Sequence, residues 1–215
     1  MSQHAYTDAE RQAIYRAIFE RRDMRHFVPG CVPSDTLLRI LQAAHHAPSV
    51  GFMQPWRFMR ITDLELRRQI HGIVETERCA TARALHERED EFMKLKVEGI
   101  LDCAEILVVA LQDQRDRHIF GRRTMPEMDL ASVSCAIQNL WLAARAEGIG
   151  VGWVSLFDPE ELKLLLKMPP DSHPVSILCV GQVEKFYDQP MLLQENWAQR
   201  LDLNALVSEN CWPCI

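Results

Sequence analysis

Met128 to Phe157, MDLASVSCAIQNLWLAARAEGIGVGWVSLF, is the stretch from which the fold is best read. Leu130, Val133, Ile137, Leu140, Trp141 and Ala144 recur at three- and four-residue spacing. Ala131, Ala136, Leu142 and Ala143 fill the other faces, so the spacing predicts a helix apolar nearly all round, placed in the middle of a domain. Gly148 follows the last periodic turn as a C-cap candidate. Val151, Trp153 and Ser155 then alternate with Gly152, Val154 and Leu156 as in a half-buried strand. Asp158-Pro159-Glu160-Glu161 restarts a helix, with Asp158 at the N-cap, Pro159 in the first turn and Glu161 at the reciprocal capping position.

The glycines at 148, 150 and 152 do not make a dinucleotide fingerprint. That motif runs strand, glycines, helix, because a pyrophosphate sits on the N-terminus of the helix that follows. Here the glycines leave a helix and enter a strand, so tight backbone passage is their expected duty.

The chain has 215 residues, 47% of them hydrophobic, which suits one well-buried domain over residues 1–215. Its net charge of -6 argues against nucleic acid as a partner; the only basic patch is Arg115, Arg117, Arg122 and Arg123. The N-terminus has no apolar core of signal-peptide length, and the aliphatic run from Ile106 to Leu111 is too short to cross a bilayer, so a soluble, cytoplasmic protein is expected. Seven scattered cysteines form no disulfide framework, and Cys135 and Cys179 lie in apolar runs that suit buried thiols. Cys211-Trp212-Pro213-Cys214 has redox-motif spacing but lacks the strand before and the helix after that lower a thiol pKa, so it reads as a frayed tail. His45-His46 put adjacent imidazoles on different sides of a helix with no further ligands at metal spacing; no metal is expected.

In chain order, Thr7-Asp8-Ala9-Glu10 is a capping box opening a helix to Glu20, with Ile14, Ile18 and Phe19 as its apolar stripe. Arg21-Arg22-Asp23-Met24-Arg25 follows, either a solvated helix end or a fork for a phosphate or a heterocyclic carbonyl, since guanidinium presents paired donors in a plane. Ser34 or Asp35 caps a second helix with Leu37, Leu38, Ile40, Leu41 and Ala44 inward, ended by Pro48. Pro48-Ser49-Val50-Gly51-Phe52-Met53-Gln54-Pro55-Trp56 suits either a rigid loop whose backbone approaches a planar ligand or an ordinary connection to a strand over 57–61. Helix is predicted from Asp63 to Ala84. The charged segment from His86 to Val97 reads as a solvated helix or, alternatively, a mobile cover. Glu105–Leu111 is a buried strand, 112–127 a polar loop, 160–167 a short helix and 174–183 another buried strand. Residues from about 184 to 215 form an arm with little to pack against itself, of the kind a partner subunit stabilises. Without a regular βαβ rhythm, the fold class is α+β, with helices around a small mixed or antiparallel sheet.

Taken together, RRDMR at 21–25, APSVGFMQPW at 47–56 and NLWLAARAEGIGVGWVS at 139–155 resemble the nitroreductase-like flavoproteins, over about residues 16–200. Within that family the chain is most similar to the branch that fragments reduced FMN into 5,6-dimethylbenzimidazole, because Asp23 stands where the family's flavin reductases usually carry a serine. The resemblance implies a homodimer with a domain-swapped C-terminal arm and FMN sites at the two-fold interface. It implies that Arg21, Arg22 and Arg25 grip the phosphate and the pyrimidine edge, with Met24 in the same segment, and that Pro48, Ser49 and Gly51 line the cofactor. Ser155 and Leu156 fall near the reactive ring edge, Arg200 adds a phosphate contact, and Arg88 and Val97 contribute from the lid-like segment. Reduced FMN is then the substrate, dioxygen the co-substrate, erythrose 4-phosphate the second product, and a separate flavin reductase the supplier. Asp23 and Ser155 are the expected catalytic pair, as proton acceptor and as hydroxyl guiding oxygen. Three other readings compete: an NAD(P)H-dependent nitroreductase or flavin reductase, a cob(II)yrinate a,c-diamide reductase, and a non-catalytic flavin-binding protein.

Overall fold

The computed structural model describes residues 4–212. Helix α1 (Asp8–Glu20) opens on the predicted box: the Thr7 hydroxyl accepts the Glu10 N–H, and the Glu10 carboxylate accepts the Thr7 N–H at 2.8 Å. None of its residues is buried, and Ile14, Tyr15, Ile18 and Phe19 stand exposed. Helix α2 (Ser34–His45) starts one residue earlier than expected, with Pro33 as N-cap in place of Ser34 or Asp35. The Pro33 carbonyl already accepts the Leu37 N–H, so Ser34 sits inside the first turn. Leu37, Ile40 and Ala44 point inward, whereas Leu38, about 100° further round the helix, is exposed.

Four strands, β1 (Trp56–Ile61), β2 (Glu105–Leu111), β3 (Gly150–Val154) and β4 (His173–Gly181), form an antiparallel sheet in the order β1-β2-β4-β3. Helices cover both faces. Leu107, Val109 and Leu111 of β2 face α2 and the central helix α5 (Met128–Ala146), while Ile106 and Val108 face α3 (Leu64–Ala84) and α6 (Pro159–Leu165). A strand buried on both sides reads as an unbroken apolar run, as β2 does. The same coverage corrects the reading of β3: every residue of it except Trp153 is buried, so it is not half-buried. Between β2 and β4 the register shifts after Val109, which pairs with Ser176 while Ala110 pairs with Pro174; Pro174 has no N–H to give a regular ladder.

α5 buries Val133, Ile137, Leu140, Trp141 and Ala144 as predicted, but Leu130, Ala131, Cys135 and Gln138 form an open stripe. Cys135 is therefore an exposed thiol, whereas Cys179 is buried as expected. Gly148 ends the helix at φ +74°, and Asp158 caps α6 through the Glu160 and Glu161 N–H groups. In the loop 112–127 the basic patch is partly internal. Arg122, buried, pairs with Asp129 at 3.0 Å, and Arg115 pairs with the same carboxylate. The charged segment 86–97 is a short turn followed by α4 (Glu89–Lys94), and it buries Phe92 and Leu95 where a solvated helix would bury neither. Among its described residues the arm holds only α7 (Met191–Gln194) and a short turn at Leu203–Ala205. Cys211 and Trp212 of the tail motif are exposed; Pro213 and Cys214 lie outside the described residues.

Among the described residues no helix is long and apolar enough to cross a membrane. His45 accepts the Trp56 indole N–H at 3.2 Å, and His46 bonds back to the Gln42 carbonyl. A trio the sequence did not single out, His71, Glu75 and Glu98, brings one ligand-type atom of each within 4.8 Å of the others. Glu75 is shared with Arg78, and Glu98 accepts the Ile100 N–H, so this carboxylate charge is already partly engaged.

Candidate active site

The segment after α1 runs alongside β3 as a fifth, irregular edge. The Met24 N–H bonds the Val151 carbonyl at 2.9 Å, and Asp23 forms a parallel bridge with Val151. Gly152 makes this approach possible: a Cβ there would lie 2.2 Å from the Met24 carbonyl oxygen. Tight passage is thus what the glycine run provides, in support of the apposed 21–25 segment.

Apposition fixes the charged side chains. Met24 is buried and points into the protein, so its neighbours Asp23 and Arg25 are held by β3 instead. One Asp23 oxygen accepts the Trp153 N–H at 2.9 Å and the other accepts the Arg25 guanidinium, which also donates to the Trp153 carbonyl at 2.7 Å. Burial pushes the Asp23 carboxyl pKa upward against the opposing pull of Arg25, the Trp153 N–H and Arg21. The backbone N–H groups of Arg25 and His26 both donate to the Tyr187 hydroxyl, which ties the start of the arm to this segment.

A cavity of about 290 Å³ opens beside these residues. It is lined by Arg21, Arg22, Asp23 and Arg25, by Trp153 to Leu156 at the end of β3, and by the apolar side chains of Phe92, Leu95, Val97 and Trp197. Pro190 to Leu192 close it from the arm. Three guanidinium nitrogens, Arg21 Nε, Arg22 Nε and Arg25 Nη1, are buried without a hydrogen-bond partner. Arg21 lies over the Trp141 ring at 4.7 Å, and desolvation, followed by the charges of Arg22 and Arg200, draws its pKa down despite Asp23. Buried donors without acceptors beside an apolar slot fit a planar, anionic, carbonyl-bearing ligand.

The sequence-derived residues divide into two groups. Arg21, Arg22, Asp23, Arg25, Val97, Ser155 and Leu156 all line this cavity, and Arg200 is near enough for its charge to act on Arg21. Met24 sits behind the wall. Arg88 does not line the cavity, and neither do Pro48, Ser49 and Gly51. That loop is tied by local bonds: the Ser49 hydroxyl accepts the Gln54 N–H, the Ser132 hydroxyl accepts the Val50 N–H, and a Cβ added to Gly51, at φ +51°, would lie 2.8 Å from the Phe120 carbonyl oxygen. Sequence reasoning missed Trp153, Phe92, Leu95, the Pro190–Leu192 turn and Trp197. The usable signal was a tryptophan in a polar arm and two apolar residues in an otherwise charged segment.

The nitroreductase family model matches residues 18–182. The chain is 42% identical over 189 residues to a 5,6-dimethylbenzimidazole synthase of Rhodospirillum rubrum, covering 86% of this chain and 89% of that one. It is 34% identical over 198 residues to a 5,6-dimethylbenzimidazole synthase of Rhodobacter capsulatus, covering 91% and 96%. The fold also superposes on the crystal structure of oxidized iodotyrosine deiodinase bound to FMN and 3-iodo-L-tyrosine, with a TM-score of 0.73 at 23% identity over 93% of this chain and all of that one. With its cavity formed where the 21–25 segment meets β3, the chain belongs to the nitroreductase family of flavoenzymes.

Proposed function

We propose that this protein is a 5,6-dimethylbenzimidazole synthase. It takes reduced FMN and dioxygen and yields 5,6-dimethylbenzimidazole and erythrose 4-phosphate, in the cytoplasm, with a separate flavin reductase as supplier. The observation that carries the reading is the Asp23 carboxylate, held by Trp153 and Arg25 in the wall of a cavity with unpartnered arginine donors. It is supported by identity over nearly the whole length to relatives of that name.

The residues suit a flavin. Arg21 and Arg22 would take the phosphate with Arg200 from the arm, and Arg25 Nη1 would take a pyrimidine carbonyl. Each charge-assisted bond is worth about 1.5–3 kcal/mol, so two or three suffice to hold a dianion. Trp153, Phe92 and Trp197 would flank the ring. Pro48, Ser49 and Gly51, which do not reach the cavity of their own chain, would line that of a partner. The open stripe of α5, the apolar face of α1 and the arm would form the contact between two copies.

When bound, reduced flavin supplies both the electrons for dioxygen and the carbon skeleton of the product. Asp23 takes protons at its carboxylate, its raised pKa bringing it nearer the working range of a general base. Ser155, exposed at the end of β3, holds a hydroxyl proton at the cavity wall and offers it to dioxygen. Arg25 keeps Asp23 in place, and the apolar wall excludes water.

The deciding experiment mixes anaerobically reduced FMN with the protein, admits air and measures dimethylbenzimidazole by mass spectrometry. Formation of the product supports the reading. Only oxidised FMN and peroxide, or steady NAD(P)H oxidation with a nitroaromatic or corrinoid, would point to a reductase. Ser155→Ala should shift the yield from dimethylbenzimidazole to oxidised FMN and peroxide; an unchanged yield would remove Ser155 from the mechanism.

A further inference from the structure

Arg88 stands 3.5 Å over the ring of Trp197, its Nη2 donates to the Trp197 carbonyl at 3.1 Å, and its Nε and Nη2 hold both oxygens of Glu91. Its guanidinium is thus directed at the arm and at its own helix, and Arg88 is absent from the cavity wall. Trp197, by contrast, is in that wall, tilted against Phe92 at 6.0 Å between ring centres. Phe92, Leu95 and Ala82 are the buried members of a small apolar cluster on which Val97, Leu156 and Trp197 pack, separate from the two cores that flank the sheet. The arm presents Trp197 through a compact turn in which the Leu192 carbonyl accepts the N–H groups of Trp197 and Ala198.

We infer that Arg88 is a positioning residue that latches the 86–97 segment to the arm through Trp197, closing the cavity as one body without touching the ligand. This rests on the proposed function only for the identity of what enters. A flavin consumed as substrate must be admitted and its products released on every turnover, so a cover fastened by few contacts serves it. The cover has those properties. Its own cluster is small, and its latch is a half-exposed cation on an aromatic face. Such a contact shifts a closed-to-open ratio by only about two- to five-fold. Because the latch makes no contact with the ligand, it biases the free and the bound protein alike, and it changes exchange rates without changing affinity.

The test uses the full-length protein and oxidised FMN as probe. Stopped-flow flavin fluorescence gives association and dissociation rates, and hydrogen exchange of the ligand-free protein reports on the cover. Arg88→Gln should raise both rates about two- to five-fold with the equilibrium affinity nearly unchanged. It should also speed amide exchange in 89–97 and 191–198 together. In the ligand-free protein, Trp197→Leu, which keeps an apolar wall but no ring, should speed the same amide exchange and add little in the double variant, while Arg88→Lys should restore most of the slow exchange. Faster dissociation alone, with affinity lost in proportion, would mean that Arg88 contacts the ligand and would overturn the latch. Unchanged hydrogen exchange in Arg88→Gln would overturn it as well. Failure of the wild-type protein to make dimethylbenzimidazole would remove the proposed reaction, while the ligand-free exchange result would still decide the latch.

Discussion

Asp23 is held by Trp153: the β3 amide donates to the carboxylate at 2.9 Å, two residues before Ser155 on the same strand end. The carboxylate and the hydroxyl assigned to the chemistry are therefore positioned by one piece of backbone. Asp23→Asn keeps an acceptor for the Trp153 N–H but has no proton-accepting carboxylate. Flavin binding should persist while dimethylbenzimidazole formation falls by about a hundred-fold or more. Burial raises the wild-type pKa, so product formation should decline on acidification sooner than an ordinary aspartate would allow. The stability sign is opposite. The folded state holds this proton more tightly, so the contribution is complete below the ordinary value of 3.8 and is lost as pH rises through the raised one. Asp23→Asn should then melt no lower than wild type at neutral pH. A marked drop in melting temperature would make Asp23 a structural carboxylate.

Arg21 and Arg22, neighbours in sequence, have different surroundings. Arg22 donates to the carbonyls of Phe19, Arg21 and Asp188, all within 2.8 Å, and so joins the end of α1 to the arm. Arg21 stacks on Trp141 and leaves a buried nitrogen unpartnered. Arg21→Ala should weaken FMN binding about ten- to a hundred-fold with little change in melting temperature. Arg22→Ala should weaken binding too and in addition lower stability by about 1–2 kcal/mol, since the carbonyls of Phe19, Arg21 and Asp188 lose their shared donor. Thermal melts beside flavin titrations separate the two, and equal melting temperatures for both variants would contradict this division.

Gly152→Ala places a methyl against the Met24 carbonyl and 3.2 Å from Arg25 Nη1. Because the obstacle is backbone, the 21–25 segment must move off β3. The expected cost is about 1–3 kcal/mol of stability together with loss of flavin binding, whereas Gly72→Ala, in the interior of α3 with open space around it, should leave flavin binding unchanged and raise stability by about 0.5–1 kcal/mol. Unimpaired flavin binding by Gly152→Ala would show that the close approach is not required.

The fold was largely legible because its signals are local. The capping box at Thr7, the Asp158 cap, the apolar run of β2 and the glycine after α5 each carry their structure within a few residues. What failed depended on neighbours distant in sequence. β3 was expected half-buried because its own pattern cannot report that α3 and α6 cover its second face. Cys135 and Leu130 were placed inside because a helix apolar all round does not say which stripe the chain leaves open. At the site, the arginines and Asp23 were found from a contiguous motif, whereas Trp153 and Trp197 enter the cavity only through strand apposition and the return of the arm.

The absence of Pro48, Ser49 and Gly51 from the cavity wall of their own chain gives the last prediction. If each site takes Arg21 from one copy and Gly51 from the other, two variants that are each inactive should complement. Gly51→Val strains a backbone at φ +51° and crowds the Phe120 carbonyl, in an exposed loop whose distortion leaves the core intact. Arg21→Ala would remove the proposed phosphate contact. In a mixed dimer both lesions fall into one site and the other site is built wholly from native residues, so random exchange of the two proteins should restore about a quarter of the wild-type sites. Co-refolding the two variants and titrating FMN, with chain exchange verified by mass spectrometry, gives the count. No recovery in verified mixed dimers would place Arg21 and the loop in the same chain's site, or the loop in no site at all. Removing the arm before Trp197 tests the same interface from the other side, and should lower dimer content and FMN affinity together.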